Sequence, residues 1–177
     1  MILDDAPDSW HLKRLDEYTI IKPFDCGDEV LNNYLLQESK FYLSERLAVT
    51  YIIESEEETI AYFCLLNDKV SRNIDAKTWN KINKKIPNAK RKGTYPAVKI
   101  GRLAVTKKYA KSGFGEFMLD SVKQMYSENG QISGCRFITV DSYGLVTKFY
   151  EKHGFKFMTE SDAGKDTRLM YFDLLSI

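Results

Sequence analysis

The sequence predicts an α/β (α+β) fold, built of short strands and amphipathic helices in one domain. Two observations carry this. Residues 98–105 are an apolar run with β-branched residues that reads as a buried strand, and it passes through a short loop into an amphipathic helix. Residues 48–54 and 59–66 are strand-like runs on either side of an acidic turn, which makes a hairpin, and further short strand runs follow the helix. A length of 177 residues suits one domain with a real core and is short for two. Residues 1–177 are therefore read as a single domain with a basic insertion at about 69–95.

The elements are taken in chain order. Residues 12–18 alternate weakly and read as a first strand. Residues 24–28 form a turn, and Asp25 or Asp28 caps the helix after it. That helix places Val30, Leu31, Tyr34, Leu35, Phe41 and Tyr42 on its apolar side. In the hairpin, Val49, Tyr51 and Ile53 share a face. The segment 69–93 holds Arg72, Lys77, Lys81, Lys84, Lys85, Lys90, Arg91 and Lys92, with a short helix at 76–86. It reads either as a surface for an acidic substrate or partner, or as a solvated insertion. Pro96 marks the start of the central strand. Asn129 and Gly130 end the helix after it. Residues 135–140 form the next strand, 141–144 a loop, and 145–153 a short helix closed by Gly154. Residues 155–159 and 168–174 are the last strands.

Composition excludes several function classes. A chain 44% hydrophobic and 29% charged is ordinary globular material, so intrinsic disorder is set aside. The net charge of +1 gives no bulk argument for nucleic acid or membrane. Cys26, Cys64 and Cys135 are odd in number, widely spaced and without a Cys-x-x-Cys pair, which argues against a disulfide frame or a metal site. Cys64 and Cys135 lie in apolar runs and read as core residues. No stretch approaches the ~20 apolar residues of a membrane span. The first residues lack a basic region followed by an apolar run, so the protein is expected in the cytoplasm with no membrane partner.

The stretch 96–126 organises the chain. The loop after the strand is basic, with Lys107, Lys108 and Lys111, and ends in Gly113 and Gly115. The helix behind it has Phe114, Phe117, Met118, Val122, Met125 and Tyr126 at three- and four-residue steps, with Glu116, Asp120, Lys123 and Gln124 on the other side. A strand that feeds glycines and a helix start aims free N–H groups and the positive end of a helix dipole at one point, where a phosphate fits. Glycine lets phosphate oxygen approach the main chain closely. The loop is not that of a nucleoside triphosphatase, because Glu116 follows Gly115 where lysine is needed. It is not the dinucleotide fingerprint either, because Met118 stands at the third glycine.

Leu103-Ala104-Val105 followed by Ala110-Lys111-Ser112-Gly113-Phe114-Gly115 resembles the central motif of the GNAT superfamily of acyl-CoA N-acyltransferases. Ala110 departs from it, since the family prefers Gln or Arg there. Phe149-Tyr150-Glu151-Lys152-His153-Gly154-Phe155 matches the family's closing run without a gap. Phe24-Asp25-Cys26-Gly27, Leu31-Asn32-Asn33-Tyr34-Leu35 and the hairpin look like the branch of TacT-type toxins. Together these resemblances cover nearly all the chain except the basic segment.

The resemblance implies the GNAT fold, one mixed, mostly antiparallel, twisted sheet of six to seven strands with helices on both faces and two central strands splayed to leave a slot, and N-acetyl transfer from acetyl-CoA to a primary amine by direct attack. It implies that the pantetheine arm bonds to the backbone at Leu103, Ala104 and Val105, one of whose N–H groups stabilises the oxyanion. The pyrophosphate would sit on Lys111, Ser112, Gly113, Phe114, Gly115 and Glu116, and Asp141 and Phe149 complete the cofactor set. Tyr150 is the implied acid for the leaving thiolate, a phenol with pKa near ~10. Taken alone, one of 11 tyrosines on a short helix reads as a packed amphipathic residue. The family's glutamate base is replaced by Lys99, so proton removal from the amine is expected to pass through water, or to be unnecessary for an amine already deprotonated. His153 reads as a helix-end residue.

Three functions stay in competition: an acetyltransferase for a small or peptide amine, a toxin-type enzyme acting on the amino group of aminoacyl-tRNA, and a non-catalytic acyl-CoA-binding protein. The second adds tRNA at the basic segment and an antitoxin as partners. A homodimer is left open by all three.

Overall fold

The computed structural model describes residues 9–71, 76–84, 86–87, 93–127 and 133–176. The Asn129–Gly130 helix stop lies outside the described residues, as do Arg72, Lys85, Lys90, Arg91 and Lys92 of the basic segment.

Seven strands make one sheet in the order β1-β2-β3-β4-β5-β7-β6. They are β1 His11–Arg14, β2 Val49–Glu54, β3 Thr59–Ser71, β4 Thr94–Val105, β5 Phe137–Tyr143, β6 Lys156–Phe157 and β7 Thr167–Asp173. The β1–β2, β2–β3, β5–β7 and β6–β7 pairings are all antiparallel. The helices are α1 Glu29–Asn33, a π-helical turn Tyr34–Glu38, α2 Ser39–Ser44, α3 Ala76–Asn83, α4 Phe114–Ser127 and α5 Thr147–Lys152. The expected hairpin, strand–loop–helix and closing strands are all present, with shifted ends. The hairpin's second strand runs five residues past Leu66, to Ser71, because it continues into the segment read as an insertion. Asp141, Ser142 and Tyr143, expected in a loop, belong to β5, where they pair with Leu169, Arg168 and Thr167.

By contact density the chain divides into two compact units, residues 1–66 with 100–122 and residues 67–99 with 123–177. The first has a core of Leu15, Phe24, Tyr34, Leu35, Ile52, Tyr62, Cys64 and Ala104. Asp28, one of the two candidate caps, starts α1: its carboxylate accepts from the Val30 and Leu31 amides at 2.9 and 3.2 Å. The π turn inserts extra residues per turn, so the apolar stripe loses its phase across it. Tyr34 and Leu35 are buried, whereas Val30 and Phe41, expected beside them, are exposed.

The second unit has a core of Val70, Trp79, Ile82, Tyr95, Ala97, Phe137, Met158 and Tyr171. Helix α3 is anchored there by stacking of Trp79 on Tyr95, at 5.6 Å, and by the Tyr95 hydroxyl donating to Asn83 Oδ1 at 2.6 Å. Cys64 is buried as expected, Cys135 is half-buried, and all three cysteines are free thiols.

Candidate functional site

The donor loop lies in the first unit. β4 ends at Val105, a single 3-10 turn covers Lys107–Tyr109, and α4 begins at Phe114. The turn is closed by Tyr109 and Ala110 amides donating back to the carbonyls of Thr106 and Lys107, and by the buried Ser112 hydroxyl donating to the Tyr109 carbonyl. Two residues then sit at positive φ, Lys111 at 68° and Gly113 at 97°. The Gly113 angle needs a residue without Cβ, and it swings the backbone so that α4 starts at once. The first intrahelical bond runs from the Phe117 amide to the Gly113 carbonyl at 3.0 Å. The amides of Phe114, Gly115 and Glu116 consequently have no carbonyl one turn back, and they face out from the positive end of a 14-residue helix. Gly113, Gly115 and Glu116 are half-buried, so a ligand can reach their backbone. These donors belong to the main chain, so an anion can reach them without the side chain absent at Ala110.

The loop's charge is not distributed as expected. Lys107 is held by Asp25 at 2.9 Å and Lys108 by Glu58, both across the unit. Hydrogen bonding from Lys107, then from Asn32 and the Gly27 amide, lowers the Asp25 carboxyl to about 2. Of the three loop lysines, only Lys111 is without an acidic partner among the described residues. What the sequence did not show is the pairing of these lysines with Asp25 and Glu58, which lie 82 and 50 positions away. Asn32 explains the amino-terminal motif. Its amide donates to Asp25 at 3.0 Å, and its carbonyl accepts from the Cys26 backbone at 3.0 Å. The Lys107 amide also donates to the Asp25 carbonyl at 3.0 Å. The corner at 24–32 is thus tied to the loop that it precedes by about eighty residues.

On β4, Ala104 packs into the core of the first unit, while Leu103 and Val105 alternate to the other face and are half-buried. Thr106 follows, with its hydroxyl buried and without a hydrogen bond. Trp10 braces the helix by edge-on contacts with Phe114 and Phe117 at 5.3 and 5.0 Å.

The second unit carries Tyr150, Phe149 and Asp141. Tyr150 lies on α5 and is 6% exposed. Its ring meets Phe149 and Phe155 edge-on, at 5.2 and 5.3 Å, and Phe155 lies against Phe172 at 5.5 Å. The Gly-Phe end of the motif has a packing reason. Gly154 has φ +87°, and a Cβ there would come within 3.0 Å of the Phe172 ring. The Phe155 amide then donates to the Tyr150 carbonyl at 3.0 Å, which turns the chain back onto the tyrosine. Burial pushes the Tyr150 phenol above the ordinary tyrosine range. Among the described residues nothing hydrogen-bonds its hydroxyl, which makes it a protonated donor without a partner. Phe149 is half-buried and also contacts His153, the C-cap of α5, at 4.8 Å.

Asp141 faces Lys99 and forms an ion pair with it. The Lys99 side chain is therefore engaged by a carboxylate. Asp141, with half of its side chain exposed, retains oxygen for a second donor. No group of metal-ligating side chains occurs among the described residues.

Comparison gives the class. Residues 88–171 match the family model described as an acetyltransferase (GNAT) domain. Among curated proteins compared by sequence, none matches. Among solved structures, a tyrosine-to-phenylalanine mutant of KacT has a TM-score of 0.78 at 21% identity, covering 94% of this chain and 96% of that one. AtaT complexed with acetyl-methionyl-tRNAfMet has a TM-score of 0.76 at 20% identity, covering 95% and 96%. An AtaT mutant bound to acetyl-CoA and the C-terminus of the antitoxin AtaR has a TM-score of 0.74 at 19% identity, covering 96% of each chain. Residues 88–171, just under half of the chain, are thus similar to an acetyltransferase (GNAT) domain, and the likeness to the solved structures is one of fold. No helix among the described residues is long and apolar enough to cross a membrane.

Proposed function

We propose that the protein transfers the acetyl group of acetyl-CoA to a primary amine by direct attack in a ternary complex, with residues 1–177 working as one catalytic domain. The amine nitrogen forms its bond to the thioester carbonyl carbon and the carbon–sulfur bond breaks. The amine's surplus proton goes to water, because Lys99, at the place of the family base, is engaged by Asp141. Tyr150 gives its proton to the leaving thiolate. Most of the acceleration comes from holding two reactants together, and a backbone amide of Leu103–Val105 supplies the oxyanion contact. The diphosphate of the donor rests on the amides at 114–116, with Lys111, Ser112 and Gly113 around it.

One observation supports this reading most: Tyr150 is buried, protonated and free of hydrogen bonds at the one position where a matching motif calls for a general acid. The experiment is thiol release from acetyl-CoA over a panel of amines, comparing the wild type with Tyr150→Phe. Equal turnover would remove Tyr150 from the mechanism, and no turnover with any amine would leave a non-catalytic acyl-CoA binder.

A second reading makes the acceptor the amino group of aminoacyl-tRNA. It is favoured by the fold shared with AtaT, solved with acetyl-methionyl-tRNAfMet, and by the lysines of α3. This reading adds an antitoxin as partner and a second copy of the chain as an open possibility for assembly. Charged tRNA in the same amine panel tests it.

A further inference from the structure

Among the described residues, three arginines are half-buried: Arg102, Arg136 and Arg168. Arg136 pairs with Asp173 at 2.9 Å and Arg168 with Asp162 at 2.7 Å. Arg102, on β4 in the first unit, has no carboxylate partner among the described residues. Rings hold its charge instead. The guanidinium carbon lies 3.8 Å from the centre of the Tyr34 ring and 5.4 Å from that of Tyr42. The Cys64 thiol and the Tyr42 hydroxyl are also beside it. The platform is fixed from within the core. Tyr34 is fully buried, stacks on Tyr62 at 6.0 Å, meets Tyr42 edge-on at 5.2 Å and shares a hydrogen bond with Thr50 at 3.1 Å. Tyr62 in turn donates to the Leu31 carbonyl at 2.8 Å. Covering these rings would suit a methionine or leucine, since a charge drawn out of water without a counter-ion is costly. The guanidinium carries five N–H donors in a planar fork, and no carboxylate among the described residues takes them.

We propose that Arg102 binds a carboxylate carried by the acceptor, so that the substrates are small amines bearing a carboxylate. The side chain leaves β4 one residue before Leu103–Val105, the backbone to which the oxyanion contact is assigned above, and on the face shared with Ala104. An anion seated on it is therefore anchored beside the stretch of strand where the acetyl group is attacked. A planar monoanion matches one guanidinium: it takes two parallel N–H bonds and cancels one charge. Among the described residues no lysine or second arginine lies over these rings, so the further charge of a phosphate monoester meets no second cation on this platform. The inference deepens the proposed transfer to a primary amine and rests on it for its purpose. Anion binding is measured without turnover, so the two fail separately.

The test begins with the full-length protein carrying isotope-labelled arginine, read by nitrogen–proton correlation NMR. The Arg102 Nε–H signal is assigned as the one lost in Arg102→Lys. Straight-chain amino acids from glycine to ε-aminocaproate are titrated in carboxylate-free buffer, each beside its amide. At least one acid is expected to shift the Arg102 signal saturably, while its amide leaves the signal in place. No shift with any acid, an equal shift with acid and amide, or tighter binding of methyl phosphate than of every acid would overturn the proposal. Thiol release from acetyl-CoA with the same pairs is the second readout. The wild type should prefer an acid to its amide in kcat/KM, with the difference in KM. Arg102→Gln should lower that preference at least about tenfold, as expected for a hydrogen bond to a charged group. A loss shared equally by acid and amide would make Arg102 a structural residue and overturn the proposal. Acids that bind Arg102 while only neutral amines are acetylated would overturn it and leave the transfer reaction standing. Acids that bind while no amine at all is acetylated would overturn the acceptor role together with the transfer reaction.

Discussion

Tyr150 and Asp25 show how single groups are set for their work by different means. Tyr150 is set by burial, which holds the phenol protonated through and beyond the ordinary tyrosine range. Tyr150→Phe should therefore lower kcat by about 100-fold, the lower end of general-acid effects, with little change in KM and in melting temperature. The wild-type rate should also show no loss from this group below about pH 10. The raised pKa has a stability consequence of definite sign. The stabilisation is complete below the unfolded value and is lost as pH rises toward the folded one, so it appears only on the alkaline side. Asp25 is set by hydrogen bonds at the surface, and its carboxyl drops to about 2. Its sign is opposite: the stabilisation is present above the unfolded value near 3.8 and is lost as pH falls through about 2. Thermal melts of wild type and Asp25→Asn should differ at neutral pH and converge as the acid limb is descended. A difference that persists at the lowest pH would assign the effect to something other than the carboxylate.

At the scale of elements, two glycines carry the geometry. Gly113 places the amides of α4, and Gly154 lets the chain turn against Phe172. Gly154→Ala forces a side chain into the left-handed region and onto a ring, so it should cost about 1–2 kcal/mol in denaturant unfolding. Gly113→Ala should raise the KM for acetyl-CoA far more than it changes kcat, because it disturbs where the diphosphate sits and not the reacting atoms. Both glycines were legible in the sequence, as were β4, α4 and the Phe149–Phe155 run, because each is a local pattern of spacing. The amino-terminal helix was legible only in part. Its cap and the burial of Tyr34 and Leu35 followed from local rules. The exposure of Phe41 did not, because a π turn at Tyr34–Glu38 breaks the periodicity on which the reading depends.

For the molecule as a whole, acetyl-CoA is the ligand that should bind the folded chain and not the unfolded one. At a free concentration 100 times its Kd, it should add about 2.7 kcal/mol of stability. For a chain of 177 residues that is a rise in Tm of roughly 5–11 °C, at 2–4 °C per kcal/mol. Differential scanning fluorimetry with acetyl-CoA, and with adenine as a control lacking the diphosphate, measures it. An unmoved Tm would contradict the donor loop as a binding site.

The sequence by itself determined the strand–glycine–helix turn and the tyrosine run, because each is encoded within a span of a few residues. Tertiary structure alone decided which charges remain available. Lys107 and Lys108 are taken by Asp25 and Glu58, and Lys99 by Asp141, 42 positions away. It also brought Lys156 opposite the lysines of α3 to make a basic cleft. Such pairings are fixed by strand register and by which helix face the core buries, and a linear spacing carries neither.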